Sequence, residues 1–235
     1  MKALAKPFLA EGEFVSTNDV LLALLWMLTS EMTADKPVTN GSDLNVADTT
    51  ASVTIEFLKI GINVVPENYC GNAVLANFLA TAGVDFEGKS LPHVLALVAG
   101  IVRKALSNAK EQPLVQAQGI LAYYAVVSSG VFPQPADNFR VSLTNLVKTP
   151  VQEIDFGKGK PVLAHFTPPM PLIGTLMAAG PGPYNDESIL IYCQFLGRQL
   201  EMLKNSVVIK ECAPKMKRLY QSFNVDEMKA FLGMK

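Results

Sequence analysis

Asp155-Phe156-Gly157-Lys158-Gly159-Lys160-Pro161 sets two glycines two residues apart, with an aspartate before them and a proline behind. Glycines at this spacing mark backbone torsion angles that other side chains resist. Pro161 leads into the apolar run Val162-Leu163-Ala164, and its ring fixes the direction in which the chain enters that run. The stretch reads as a tight turn that delivers the chain into a strand. The carboxylate of Asp155 is placed to hold neighbouring backbone or a cation.

Outward from this turn, strand patterns cluster late in the chain. Phe139–Val147 and Val162–Phe166 read as strands, and Leu172–Ala179 and Ser188–Phe195 flank Pro181-Gly182-Pro183-Tyr184-Asn185-Asp186 as the two arms of a hairpin. Gly180-Pro181-Gly182 reads as part of that turn. Earlier, strands and helices alternate. Ser16–Asp19 supplies good N-cap residues for an apolar helix from Val20 to Met32. Residues 35–50 read as a loop, Thr50–Ile60 as a strand rich in Val, Ile and Thr, and Ala73–Ala80 as a second strand. Leu91–Ala109 carries apolar residues at helical spacing, with Arg103 and Lys104 on its outer face, and Pro113–Ser128 reads as a further helix. Gly197–Asn205 reads as a short helix and Lys215–Lys235 as one or two short amphipathic helices. The pattern predicts a mixed α/β layer, a sheet with helices packed on it. It gives one domain over residues 1–235, with a core at about 14–205 and a helical tail at 206–235.

Composition supports a buried core. Of 235 residues, 49% are hydrophobic and 17% charged, far from the make-up of a disordered chain. Twenty basic and 21 acidic side chains leave a net charge of −1, which offers no global attraction to nucleic acid or an anionic membrane. The three cysteines, Cys70, Cys193 and Cys212, follow no metal-ligand spacing and suit a reducing compartment better than a disulfide framework. The apolar run Val20–Leu28 is too short to span a bilayer. A soluble, cytoplasmic chain without a metal is the expectation.

Known catalytic signatures are missing. The sequence holds no GxSxG elbow, no Walker loop, no GxGxxG and no zinc spacing. Each of the two histidines, His93 and His165, reads first as a structural residue, and His93 is the weak candidate for a general base.

Two more segments complete a pattern with the late turn: Phe14-Val15-Ser16-Thr17-Asn18-Asp19-Val20-Leu21 and Pro66-Glu67-Asn68-Tyr69-Cys70-Gly71-Asn72-Ala73-Val74. In this order the three resemble the C-terminal half of the BAHD plant and fungal acyltransferases, whose motifs there are a serine-threonine-asparagine-aspartate helix start, a tyrosine-phenylalanine-glycine-asparagine segment and a late DFGWG. Cys70 stands where the family has phenylalanine, and Lys158 where it has tryptophan. Glu56 lies near the family's aspartate-x-arginine pair, with no arginine at the matching place.

The resemblance implies a chloramphenicol-acetyltransferase-like α/β fold, one half of a two-domain architecture with the active-site channel between the halves. It implies acyl-CoA as co-substrate and a small-molecule acceptor bearing a hydroxyl or amine. Ser16, Thr17, Tyr69, Gly71 and Asn72 would lie on the cofactor side, and Lys148 and Thr144 at the acceptor. Asp155, Gly157 and Gly159 would be a structural motif. The family's catalytic histidine sits in an HxxxD motif of the other half. Here Leu97 follows His93 and Pro169 follows His165 at the aspartate position. The chain is therefore expected to be a fragment of such an enzyme, to work with a separate N-terminal half or through self-association, or to be a stand-alone, non-catalytic derivative that binds a ligand or partner.

Overall fold

A computed structural model describes residues 1–34, 36–44, 46–56, 74–130, 138–148, 153–155, 157–160, 176–181, 189–193, 195 and 197–216. Helix α1 (Lys2–Ala5) runs into a 3₁₀ turn at Lys6–Phe8. Helix α2 (Thr17–Met32) is followed by a 3₁₀ turn at Gly41–Asp43, strands β1 (Thr50–Glu56) and β2 (Val74–Ala80), and helices α3 (Leu91–Glu111) and α4 (Pro113–Ser128). Strands β3 (Phe139–Asn145), β4 (Leu176–Pro181) and β5 (Ile189–Cys193) precede α5 (Gly197–Asn205) and α6 (Val207–Cys212).

The strands form one sheet in the order β2-β1-β3-β4-β5. The central strands β1, β3 and β4 are parallel, while β2 and β5 run antiparallel to their neighbours at the edges. The hairpin read from the sequence is the β4–β5 pair. Its first arm extends past the expected limit, because Gly180 and Pro181 remain paired with Leu190 and Ile189. Proline is tolerated there because β3 pairs with β4 only as far as Ala179, so no ladder bond on that side needs its missing N–H.

Alternation along the strands sorts the two sheet faces. Ala51, Val53, Val141, Leu143, Met177 and Ala179 are buried in one cluster with α2 and α3. Ser52, Ser142, Thr54 and Thr144 alternate with them. Ser52 Oγ donates to Ser142 Oγ at 2.8 Å, and the hydroxyls of Thr54 and Thr144 share a hydrogen bond at 3.1 Å.

Every residue of α2 from Val20 to Leu28 is buried, the signature of a helix enclosed on all sides. Trp26 at its centre still satisfies its indole, donating to Thr49 Oγ1 at 2.9 Å. By contrast α3 buries one stripe, Leu91, Val94, Leu95, Val98, Ala99 and Val102, at helical spacing. Burial extends on both sides of residues 14–205: Ala5 is fully covered, and Val208 and Cys212 of α6 join the main cluster. Residues 217–235, which carry most of the expected amphipathic tail, and the expected strand at 162–166 lie outside the described residues.

Candidate functional site

Helix α2 begins with a complete capping box. Ser16 Oγ accepts from the Asp19 N–H at 3.2 Å, and the Ser16 N–H donates to Asp19 Oδ2 at 2.6 Å. Asp19 is fully buried, and a carboxylate in that position is costly without a counter-charge. Arg103 of α3 supplies it, donating from Nε at 2.8 Å and from Nη2 at 2.5 Å to the same Oδ2. The guanidinium also lies over the Phe14 ring, 4.8 Å from its centroid. Arg103 is thus turned inward and half-buried, not placed on the outer face of α3 as the sequence pattern suggested. Lys104 is exposed as expected.

The start of α2 is tied to the end of β3. Asn145 Nδ2 donates to Asn18 Oδ1 at 2.5 Å, while Asn145 Oδ1 accepts from the Val147 N–H at 2.9 Å. This links the segment holding Ser16 and Thr17 to the segment holding Thr144 and Lys148. Thr17 and Lys148 are exposed at this edge, and Ser16 and Thr144 are half-buried. Across the sheet, Thr144 is paired with Ala178, and Ala178 with Tyr192, so the three share a face. Burial raises the phenol of Tyr192 above its ordinary value.

The late turn closes on its own aspartate. Asp155 Oδ1 accepts from the N–H groups of Gly157, Lys158 and Gly159 at 2.7, 3.1 and 2.9 Å. Gly157 and Gly159 have φ of +84° and +94°, torsions that a Cβ disfavours. An ion pair between Lys160 and Glu153 brackets the turn. All of these residues are exposed.

His93 stands elsewhere. Its ring stacks on Phe8 with centroids 4.8 Å apart and planes at 15°. It precedes Arg103 by ten residues of one helix, a distance of about 15 Å along the axis. Tyr69, Gly71, Asn72 and His165 lie outside the described residues. Sequence reasoning read Asn18 and Asp19 only as a helix start, and passed over Asn145 and the inward role of Arg103. Asp19 was legible as a cap, but nothing local to Arg103 marks it as its partner. Among the described residues no group of three or more His, Cys, Asp or Glu is placed to hold a metal ion, and no helix is long and apolar enough to cross a membrane.

The arrangement is a polar edge rather than a charged cradle. Ser16, Thr17, Asn18 and Asn145 offer hydroxyls and amides, Arg103 is neutralised by Asp19, and Lys148 carries the exposed positive charge.

Solved structures share this fold. TRI101 from F. sporotrichioides, complexed with coenzyme A and T-2, aligns with 88% of this chain at 20% identity and a TM-score of 0.62. TRI101 from F. graminearum, complexed with coenzyme A and deoxynivalenol, aligns with 87% at 20% identity and a TM-score of 0.59. Vinorine synthase aligns with 86% at 16% identity and a TM-score of 0.54. The alignments take in 46%, 44% and 43% of those chains respectively, so this chain spans less than half of their length. A comparison with curated protein sequences gave no match. The five-stranded mixed sheet with its helices is the chloramphenicol-acetyltransferase-like fold of the BAHD acyltransferases. With a family model matching residues 7–207, the chain belongs to the Transferase family, of BAHD type.

Proposed function

We propose that this chain is the C-terminal half of an acyl-CoA-dependent acyltransferase, forming the wall of the channel in which an acyl group passes from coenzyme A to a hydroxyl or amine. The observation that carries the reading is the Asn18–Asn145 hydrogen bond. It holds together the segment assigned by resemblance to the cofactor, Ser16 and Thr17, and the one assigned to the acceptor, Thr144 and Lys148. The hydroxyl and amide side chains at this edge suit the amide groups of a pantetheine arm, each able to exchange a hydrogen bond with a C=O or N–H. Lys148 suits a phosphate or an acidic acceptor as a point charge, without the bidentate fork of an arginine. Tyr69, Gly71 and Asn72 would complete the cofactor side. The bound thioester supplies the electrophilic carbonyl.

Deprotonation of the acceptor needs a general base. Neither histidine here is followed by aspartate in HxxxD spacing, and His93 is engaged with Phe8. In this reading the base comes from an N-terminal half, on the same polypeptide or a separate one, and residues 1–235 alone are inactive. Titrating acetyl- and malonyl-CoA into the purified chain by calorimetry, with thioester hydrolysis followed in the same sample, tests this. Saturable binding without hydrolysis is expected. Failure of both coenzymes to bind overturns the cofactor assignment, and hydrolysis by the chain alone overturns the assignment of the base elsewhere.

Helix α4 favours a second reading, a non-catalytic derivative that binds a partner or its own copy. The sequence from Gln112 to Ala136 holds no charged residue, and Val115, Leu121 and Val126 of α4 are exposed.

A further inference from the structure

We infer that Arg103 is a positioning residue for the coenzyme-facing edge, acting through Asp19 and Phe14 rather than by touching the ligand. The inference rests on the reading above for its functional consequence and on geometry alone for the clamp.

Arg103 grips the chain on both sides of the polar segment. On the near side its guanidinium lies 4.8 Å from the Phe14 ring centroid. On the far side Nε and Nη2 meet Asp19 Oδ2. Ser16, Thr17 and Asn18 lie between these two points. Asp19 in turn holds the Ser16 N–H, and Asn18 reaches Asn145. One side chain from α3, 84 residues away in sequence, thereby fixes the path by which the chain enters α2 and the direction in which its polar side chains point. Asp19 is fully buried, and its second oxygen, Oδ1, has no hydrogen-bond partner among the described residues. Its compensation among the described residues runs through Oδ2, so the position of Arg103 governs the position of the carboxylate. A lysine keeps the charge but cannot present two N–H groups to a carboxylate while laying a flat cationic face on an aromatic ring.

The test uses Arg103→Lys, Arg103→Met and, as a control at the opposite end of α2, Glu31→Gln. Glu31 accepts from Ser206 Oγ and the Val207 N–H, so its loss weakens packing of α6 without touching the clamp. Two readouts are needed: hydrogen exchange of the Asp19 and Val20 amides, which are bonded to Ser16 Oγ and Ser16 O, and the dissociation constant for acetyl-CoA. Arg103→Lys is expected to speed exchange at Asp19 and Val20 by about tenfold or more, and to weaken acetyl-CoA by about tenfold, the equivalent of one charge-assisted hydrogen bond. Arg103→Met should do more. Glu31→Gln should lower the melting temperature and leave both readouts unchanged. Unchanged exchange in Arg103→Lys overturns the clamp, and an equal loss of affinity in Glu31→Gln overturns its specific link to acetyl-CoA binding. If the unmodified chain binds no acetyl-CoA, the proposed function fails, while the exchange data still decide whether Arg103 positions the edge.

Discussion

At the scale of single residues, burial disfavours the thiolate form of two cysteines, the buried Cys212 and the half-buried Cys193. The Cys193 and Cys212 thiols are both pushed up to about 12 by burial, with the charges of Glu211 and Glu31 adding to the effect at Cys212. A thiolate, not a thiol, is the nucleophile. At pH 8 iodoacetamide should therefore modify neither cysteine in the folded chain and both in denaturant, as read by peptide mass spectrometry. The same shift links to stability. An unfolded thiol gives up its proton near its ordinary value of 9.0, the folded ones near about 12. Between those values the folded state holds protons that the unfolded state has lost, so stability present below pH 9 falls as the pH rises through this window. The denaturation midpoint should drop between pH 8 and pH 10.5, and the drop should shrink in Cys212→Ala. The late turn gives a second residue-scale prediction. Gly157→Ala and Gly159→Ala each place a Cβ at positive φ and should each cost about 1 kcal/mol by chemical denaturation, with no neighbouring atom to blame, since a Cβ at either position meets nothing within 4 Å.

At the scale of elements, α2 is the member around which the rest is arranged. Its side chains touch the sheet, α3 and α6 at once, so the α2 core tolerates little. Leu25 is 2% exposed, and Leu25→Ala should cost about 2–5 kcal/mol, the range for a buried leucine whose cavity cannot fully collapse. The two ends of α2 do different work. The first turn carries the capping box and the Arg103 clamp, and Ser16→Ala should cost about 1 kcal/mol, visible as earlier unfolding in urea. The last turn carries Glu31, which binds the start of α6 where Ser206 Oγ also accepts from the Ile209 N–H at 3.0 Å. A helix of six residues such as α6 is too short to stand alone in water. Its stability comes from this cap and from burying Val208 and Cys212.

At the scale of the whole molecule, the uncharged helix α4 sets the behaviour of the surface. Val115, Leu121 and Val126 of α4 are exposed, Leu121 at 70%, and apolar residues gathered on a surface can mark contacts with other chains. Leu121→Lys should leave folding stability within about 0.5 kcal/mol, as surface substitutions do, while shifting the sedimentation profile at high concentration toward the monomer. An unchanged profile would show that α4 contributes nothing to association. The alignments with TRI101 and vinorine synthase each take in less than half of those chains.

Among the described residues, the sequence by itself determined α2 to α5, the five strands, the order in which they come, and the family; α1 and α6 it did not announce. Alternation in 50–56, the helical stripe of 91–109 and the paired glycines at 157 and 159 are local patterns, and local backbone preference produced what they announced. What the tertiary structure decided is which polar side chains meet. Arg103 and Asp19 are 84 residues apart, and Asn145 and Asn18 are 127 apart. An arginine on an amphipathic helix carries no mark in its own neighbourhood to say whether it faces solvent or a buried carboxylate. That depends on how α3 crosses α2, which is set by the packing of Val94, Val98 and Val102 against the centre of the fold. The candidate site is built almost wholly from such contacts, so its residues were legible one at a time while their assembly was not.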